Sequence, residues 1–146
     1  MTDIPKDFSR LKVGGEFIAL NGPLYFSERE AEFWVGFRVE SRHTNPLGTC
    51  HGGMLATFCD MFMPISVTRT VPELHGHFLP TISLQIDFMA PAPTGAWVEG
   101  RATALRITRK MVFANGLVYA NGELAVRASG IFKKGPSWQE LQARNS

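Results

Sequence analysis

Residues Asn45–Thr70 read NPLGTCHGGMLATFCDMFMPISVTRT, and they decide the fold. The stretch opens on polar, glycine-rich residues and is then apolar for most of four helical turns. Asp60 is the only carboxylate in it, and Arg69 is its only lysine or arginine. A helix that is apolar on nearly all sides belongs in a core, where a carboxylate is costly unless it is paired, hydrogen-bonded or used. Asp60 is therefore the best functional clue in the sequence.

The pattern predicts a helix from about Gly52 to Val71-Pro72, with a proline inside it. Pro64 lacks the amide that would bond the carbonyl of Asp60, and its ring clashes there. We expect either a kink beside Asp60 or an early end of the regular helix.

Four segments are predicted before this helix. The first is a polar, loosely held leader at Met1–Lys12, and the second is an interrupted strand or small hairpin at Glu16–Phe26. An aromatic and β-branched strand at Glu32–Glu40 and a loop at Ser41–Cys50 follow.

Four strands are predicted after the helix and a loop at Glu73–Phe78. The last two are joined at Asn121-Gly122, because both central residues of a type I′ turn need positive φ. The strands are Thr81–Phe88, which alternates cleanly, Trp97–Ile107, Met111–Ala120 and Leu124–Lys133, and residues 135–146 form a tail.

Small residues recur at alternate positions of three of these strands, which lets a bulky helix lie close to the sheet. They are Ala102, Ala104, Ala114, Gly116, Ala128 and Gly130. The sequence thus predicts an α+β fold, in which one long central helix is wrapped by an antiparallel sheet.

Composition limits the function. A chain of 146 residues fits one domain, and a net charge of +2 with scattered basic residues does not indicate nucleic-acid binding. We expect no signal peptide, no membrane span and a cytoplasmic protein with Cys50 and Cys59 as free thiols. His75 and His77 have no third ligand beside them, so no metal is predicted.

Asn45, Gly48, His51, Gly52 and Gly53 form the motif N-x-x-G-x-x-H-G-G, and Asp60 follows nine residues after the histidine. The paired glycines let backbone approach a ligand, and the free amides of a helix start can stabilise a developing oxyanion. A carboxylate can attack an acyl carbon or deprotonate a water.

Helical geometry separates the two halves of this set. Nine residues place His51 and Asp60 about half a turn apart and about 13 Å along the axis. If both serve one reaction, Asp60 must meet the His-Gly turn of another copy, which predicts a composite site at a homodimer interface.

The chain resembles the hotdog-fold acyl-CoA thioesterases of the PaaI-like branch of the 4-hydroxybenzoyl-CoA thioesterase superfamily. NPLGTCHGG with its distal Asp, together with the downstream TISLQIDFMAPAP, carries the resemblance, which spans roughly Val35–Lys134. It implies one hotdog domain over residues 1–146, with a core at about 15–134. It also implies an acyl-CoA or aryl-CoA substrate, no separate cofactor, and a homo-oligomer with a dimer as the minimal unit and a tetramer as the expected form.

The resemblance also implies roles for individual residues. Asp60 would be the nucleophile or general base, and the amide of Gly52 or Gly53 would polarise the thioester carbonyl. Asn45 and His51 would shape the turn and the leaving-thiolate side, and Thr81 would lie near the water. Contacts with substrate or coenzyme A are implied for Arg106, Arg109, Lys110, Phe88, Met89 and Met111.

Other interpretations stay open at this point. Asp60 could pair with Arg69 or cap a restarted helix, His51 could simply stabilise its turn, and the three cations near residue 108 could be solvated turn charges. A hotdog dehydratase or hydratase acting on a 3-hydroxyacyl thioester and a non-catalytic acyl-CoA binder are the competing functions.

Overall fold

The computed structural model describes residues 3–146, which form one antiparallel sheet with a long helix on one face. The strand order in the sheet is β1-β2-β3-β5-β6-β7-β4. The strands are β1 (Ser9–Arg10), β2 (Tyr25–Arg29), β3 (Glu32–Arg38), β4 (Thr81–Phe88), β5 (Trp97–Ile107), β6 (Met111–Ala120) and β7 (Glu123–Lys133). The helices are α1 (Glu16–Asn21), α2 (Gly52–Thr70) and α3 (Trp138–Arg144). The predicted α+β architecture is confirmed.

The central helix α2 begins after His51 and ends at Thr70, as the sequence predicts. It continues through Pro64, so the expectation of an early end is wrong. The buried side chains of Phe62, Met63 and Val67 flank the proline and hold both halves of the helix on the sheet. Their burial outweighs the single backbone hydrogen bond that the proline removes.

Glycines in the sheet set how closely α2 packs. A Cβ atom added to Gly100 would lie 2.9 Å from the ring of Phe62, and one added to Gly116 would lie 3.1 Å from it. The ring therefore rests on bare backbone of β5 and β6. The prediction that small residues receive a bulky helix is confirmed, and Gly100 joins the set.

Ser66 ties the helix to the sheet where β3 and β5 stop pairing. The last paired residues there are Trp34 and Arg101. Beyond them, the fully buried Ser66 hydroxyl donates to the carbonyl of Phe33 (2.8 Å) and accepts from the amide of Ala102 (3.0 Å). The hydroxyl thus satisfies two buried backbone groups that no longer bond each other.

Replacing Ser66 with alanine should destabilise the fold by about 1–3 kcal/mol, because both backbone groups would stay buried without a partner. Urea unfolding measures this, with Thr68→Ala as the control, since the Thr68 hydroxyl only bonds the carbonyl of Ile65 in its own helix. Equal unfolding midpoints for the two variants would show that the Ser66 hydroxyl does not stabilise the fold in this way.

The N-terminal region differs from its prediction. Met1 and Thr2 lie outside the described residues, but Phe8 and Leu11 are buried and β1 pairs with β2, so residues 3–12 are not a loose leader. Glu16–Asn21 is a helix rather than a strand. Its last carbonyls are bound by Arg42, which donates to the carbonyls of Leu20 and Gly22, and such long-range caps leave no local signal in the sequence.

The C-terminal tail is also more ordered than predicted. Ser137 caps α3 by accepting from the amide of Glu140, whose side chain in turn accepts from the Ser137 amide. The Trp138 ring lies 5.8 Å from that of Phe78, in the loop before β4. The tail therefore packs against the segment that leads into the candidate site. No helix in the described range is long and apolar enough to cross a membrane.

Candidate active site

The turn before α2 is held by Asn45. Its side-chain oxygen accepts from the amides of Leu47 (3.0 Å) and Thr49 (3.2 Å), and its side-chain nitrogen donates to the Thr49 hydroxyl (3.0 Å). Gly48 adopts a φ of 77°, in the left-handed region that favours glycine. These bonds direct Asn45 into the loop, where it shapes the turn.

His51 caps the start of α2 and decides which amide remains free. The Gly53 amide donates to His51 Nδ1 at 2.8 Å, and the amides of Met54 and Leu55 donate to the His51 carbonyl. Within residues 3–146, the Gly52 amide has no hydrogen-bond partner. Of the two glycines predicted as oxyanion donors, only Gly52 therefore keeps an unbonded amide.

Asp60 lies further along the same helix and is held by Thr81. The Thr81 hydroxyl donates to Asp60 Oδ1 at 2.6 Å, and both residues are exposed in the isolated chain. The expectation that Asp60 is buried is therefore wrong for a single chain, because α2 turns a stripe of residues away from the sheet. Thr81, by contrast, lies beside the carboxylate.

Phe88 and Met89 meet the start of α2 at the other end of β4. A groove of about 350 Å³ is lined there by Cys50, Gly52, Leu55, Phe88, Met89, Ala90 and Pro91. The Phe88 ring would lie 3.6 Å from a Cβ atom on Gly52, and 54% of the residue is exposed. The groove therefore offers an apolar surface directly beside the unbonded amide.

Cys50 lines the groove without being suited to act as a nucleophile. Burial raises the pKa of its thiol to about 12, so the thiolate is scarcely populated near neutral pH. Burial likewise raises the pKa of Cys59 to about 12. Neither thiol is therefore a candidate nucleophile near neutral pH.

The remaining predicted contacts lie away from this groove. Arg109 and Lys110 are exposed at the turn between β5 and β6. A register shift after Ala104 pairs Arg106 with Phe113, whose neighbours Val112 and Ala114 are buried under the helix. Arg106 thus points to the opposite face of the sheet, as does Met111, which precedes Val112.

His43 supports the site, although no spacing in the sequence marks it. Its Nδ1 accepts from the amide of Glu40 (3.0 Å), its Nε2 bonds the carbonyl of Asn21 (2.8 Å), and its own carbonyl accepts from the His51 amide (2.8 Å). Burial lowers the pKa of His43 below its ordinary value. A neutral His43 therefore ties α1 to the turn that presents Gly52.

Comparison with known proteins identifies the family of the chain. The family model described as Thioesterase superfamily matches residues 47–126, which is more than half of the chain and includes His51, Gly52, Asp60 and Thr81. The chain belongs to this superfamily, and it is an enzyme of thioester hydrolysis.

Individual relatives extend the comparison. Mouse acyl-coenzyme A thioesterase 13 is 32% identical over 78 residues, covering 53% of this chain and 54% of that one. The BH2602 protein of Bacillus halodurans, solved with CoA, is 29% identical with a TM-score of 0.67, over 77% of this chain and 74% of that one. The E. coli PaaI protein of the phenylacetic acid degradation operon is 15% identical with a TM-score of 0.69, over 84% and 86% of the two chains, and shares the fold. The predicted hotdog fold and PaaI-like resemblance are confirmed.

Proposed function

We propose that this protein hydrolyses an acyl-CoA or aryl-CoA thioester to the free acid and CoA, in a site shared by two copies of the chain. One observation carries the proposal: α2 begins with an unbonded Gly52 amide and carries, about two turns later, an exposed carboxylate held by Thr81. These are the electrophilic and the basic half of a thioester hydrolase.

The relatives favour CoA as the thiol. One is named for acyl-CoA hydrolysis and another was solved with CoA. The adenosine end of CoA carries phosphates, for which the exposed Arg109 and Lys110 are suitable partners. Arg109 and Lys110 are therefore CoA-binding residues in this proposal. Arg106 would reach CoA only from the opposite face of the sheet.

The edge strand β4 supports a dimer. β4 pairs with β7 on one side only, and it is the last strand of the sheet. Ile82, Phe88 and Met89 along this edge are 53%, 54% and 47% exposed. An edge with free backbone groups and apolar side chains is a template for pairing with another chain. A second β4, paired antiparallel about a two-fold axis, would cover it.

The same two-fold axis would bring the half-sites together. Beside β4, Asp60 of α2 is exposed, and Met61, Pro64 and Ile65 of the same helix are only partly buried. Antiparallel pairing places the Asp60 side of one copy opposite the Gly52 side of the other. Each interface then contains two composite sites, and Phe88 with Met89 lies at the junction. A tetramer of such dimers and a cytoplasmic location remain predictions from the sequence.

The chemistry follows from these positions. The substrate carbonyl accepts from the Gly52 amide, which stabilises the negative charge that forms on the oxygen. The Asp60 carboxylate either removes a proton from the water that attacks the carbonyl carbon, or attacks that carbon itself. In the second case a mixed anhydride forms on Asp60, and water then hydrolyses it to release the acid and restore the carboxylate. The C–S bond breaks and CoA leaves as a thiolate, which a proton then neutralises. With Nδ1 occupied by the Gly53 amide, a neutral His51 carries its proton on Nε2, the atom that can donate to the sulfur.

A thiol-release assay with a panel of short, long and aryl acyl-CoA substrates tests the function. Wild-type protein should release one free thiol and one carboxylic acid for each thioester consumed. Hydration of an enoyl-CoA without thiol release would instead identify a hydratase. Saturable CoA binding without turnover of any panel member would identify a binding protein.

A further inference from the structure

One corner of the molecule concentrates positive charge. Arg109 and Lys110 lie at the turn between β5 and β6, and Lys133 and Lys134 lie where β7 ends. Among the described residues, the ion pairs of this corner consist of a single long contact, 3.8 Å from Lys134 Nζ to Glu73. Four clustered cations in a chain of net charge +2 leave this corner suited to a polyanion.

Backbone hydrogen bonds fix the C-terminal segment at this corner. The Lys134 amide donates to the carbonyl of Lys110 at 2.7 Å, which joins the segment to the β5–β6 turn. On its other side, the Gly135 amide donates to the carbonyl of Phe78 (3.0 Å) and the Phe78 amide donates to that of Pro136 (2.9 Å). The lysines are therefore held in place on an ordered segment.

An aromatic surface follows four residues later. Trp138 is 56% exposed, although its amide is anchored to the carbonyl of Gly76 (2.8 Å) and its ring contacts Phe78, itself 47% exposed. Four residues span at most about 14 Å, a distance within which one nucleotide can contact both a cation and a stacking ring. An anchored but uncovered tryptophan beside cations is a suitable surface for an adenine base.

The corner also lies close to the catalytic carboxylate. The Lys133 amide donates to the carbonyl of Pro80 at 2.8 Å, and Pro80 directly precedes Thr81, which holds Asp60. The corner is thus adjacent to the segment that holds Asp60 of the same chain.

We propose that the C-terminal segment Lys133–Trp138 is a nucleotide-binding element for the CoA moiety, in which Lys134 binds phosphate together with Lys110, and Trp138 stacks on the adenine. The segment lies beyond residues 47–126, the range that the family model matches. This inference rests on the proposed acyl-CoA thioesterase function. It assigns recognition of the thiol half of the substrate to residues outside the catalytic motif.

Two substrates with the same acyl group test the element: the CoA thioester, and the thioester of N-acetylcysteamine, which lacks the nucleotide. In Lys134→Gln and Trp138→Leu, KM for the CoA thioester should rise about tenfold, the factor that 1.4 kcal/mol of lost binding represents, with kcat retained. The rate constant kcat/KM for the N-acetylcysteamine thioester should not change. Lys12→Gln, an exposed cation near β1, is the matched control and should leave both substrates unaffected.

Calorimetric titration with CoA itself separates this inference from the proposed function. The wild type could hydrolyse no thioester and still bind CoA about tenfold more tightly than either variant. That result would contradict the proposed thioesterase function and support the nucleotide-binding element. Equal losses on both thioesters would show that the segment only supports the fold, which would overturn the inference. Unchanged KM and unchanged CoA affinity in both variants would overturn it as well.

Discussion

Replacing Asp60 with asparagine should lower kcat for thioester hydrolysis by about 10²–10⁴-fold, the range that a catalytic acid or base supplies. The amide is close to the carboxylate in size and its oxygen can still accept from Thr81 Oγ1, so the local structure should survive. It can neither attack a carbonyl nor take a proton from water. Thiol release at saturating substrate measures the effect, and KM should change little.

Asp87→Asn is the matched control. Asp87 lies on the same strand as Thr81 and is an exposed carboxylate, but it pairs with Arg127 at 2.9 Å instead of approaching α2. Its loss should leave kcat within a few-fold of the wild type, as is usual for exposed ion pairs. If Asp60→Asn retained the same rate as Asp87→Asn, Asp60 would have no catalytic role.

Replacing Gly52 with proline should remove the oxyanion donor and lower kcat by about 10²–10³-fold. Gly52 is the first residue of α2, the position at which a helix tolerates proline best. The preceding His51 already has φ −58° and ψ 136°, which the residue before a proline prefers. Since the Gly52 amide has no partner within the described chain, the proline should delete an N–H without breaking the fold.

Gly52→Ala isolates that amide from the added side chain. A Cβ atom at this position meets only the Phe88 ring, at 3.6 Å, which is an ordinary contact. The alanine variant should therefore keep most of the wild-type kcat while the proline variant loses it, with similar melting temperatures for both. A proline variant as active as the alanine variant would exclude the Gly52 amide as the oxyanion donor.

The sequence predicts the architecture well because its main signals are local. The apolar run of α2, the alternation in β4 and the Asn121-Gly122 pair each predict the structure of the segment in which they occur. Both residues of that turn have the positive φ that the sequence predicts. The two errors at the ends have different causes. α1 depends on bonds from the distant Arg42, whereas α3 begins at a capping box of Ser137 and Glu140, a local signal that the prediction of a tail misses.

The sequence predicts only part of the candidate site. The spacing of the His-Gly-Gly motif and Asp60 predicts the residues of the candidate site, but not which glycine amide stays free. That depends on the His51 ring, which takes the Gly53 amide. The predicted burial of Asp60 is wrong for the isolated chain, since an apolar composition does not tell which stripe of a helix faces away from its own sheet.

Mixed dimers test the central claim, that Gly52 of one copy and Asp60 of another share a site. Two differently tagged chains, one Asp60→Asn and the other Gly52→Pro, can be co-expressed and the heterodimer isolated by both tags. Each homodimer should be inactive, whereas the heterodimer should recover about half of the wild-type kcat per dimer, because one of its two composite sites is intact. A heterodimer as inactive as its parents, with subunit mixing verified, would place both groups within one chain and contradict the shared site.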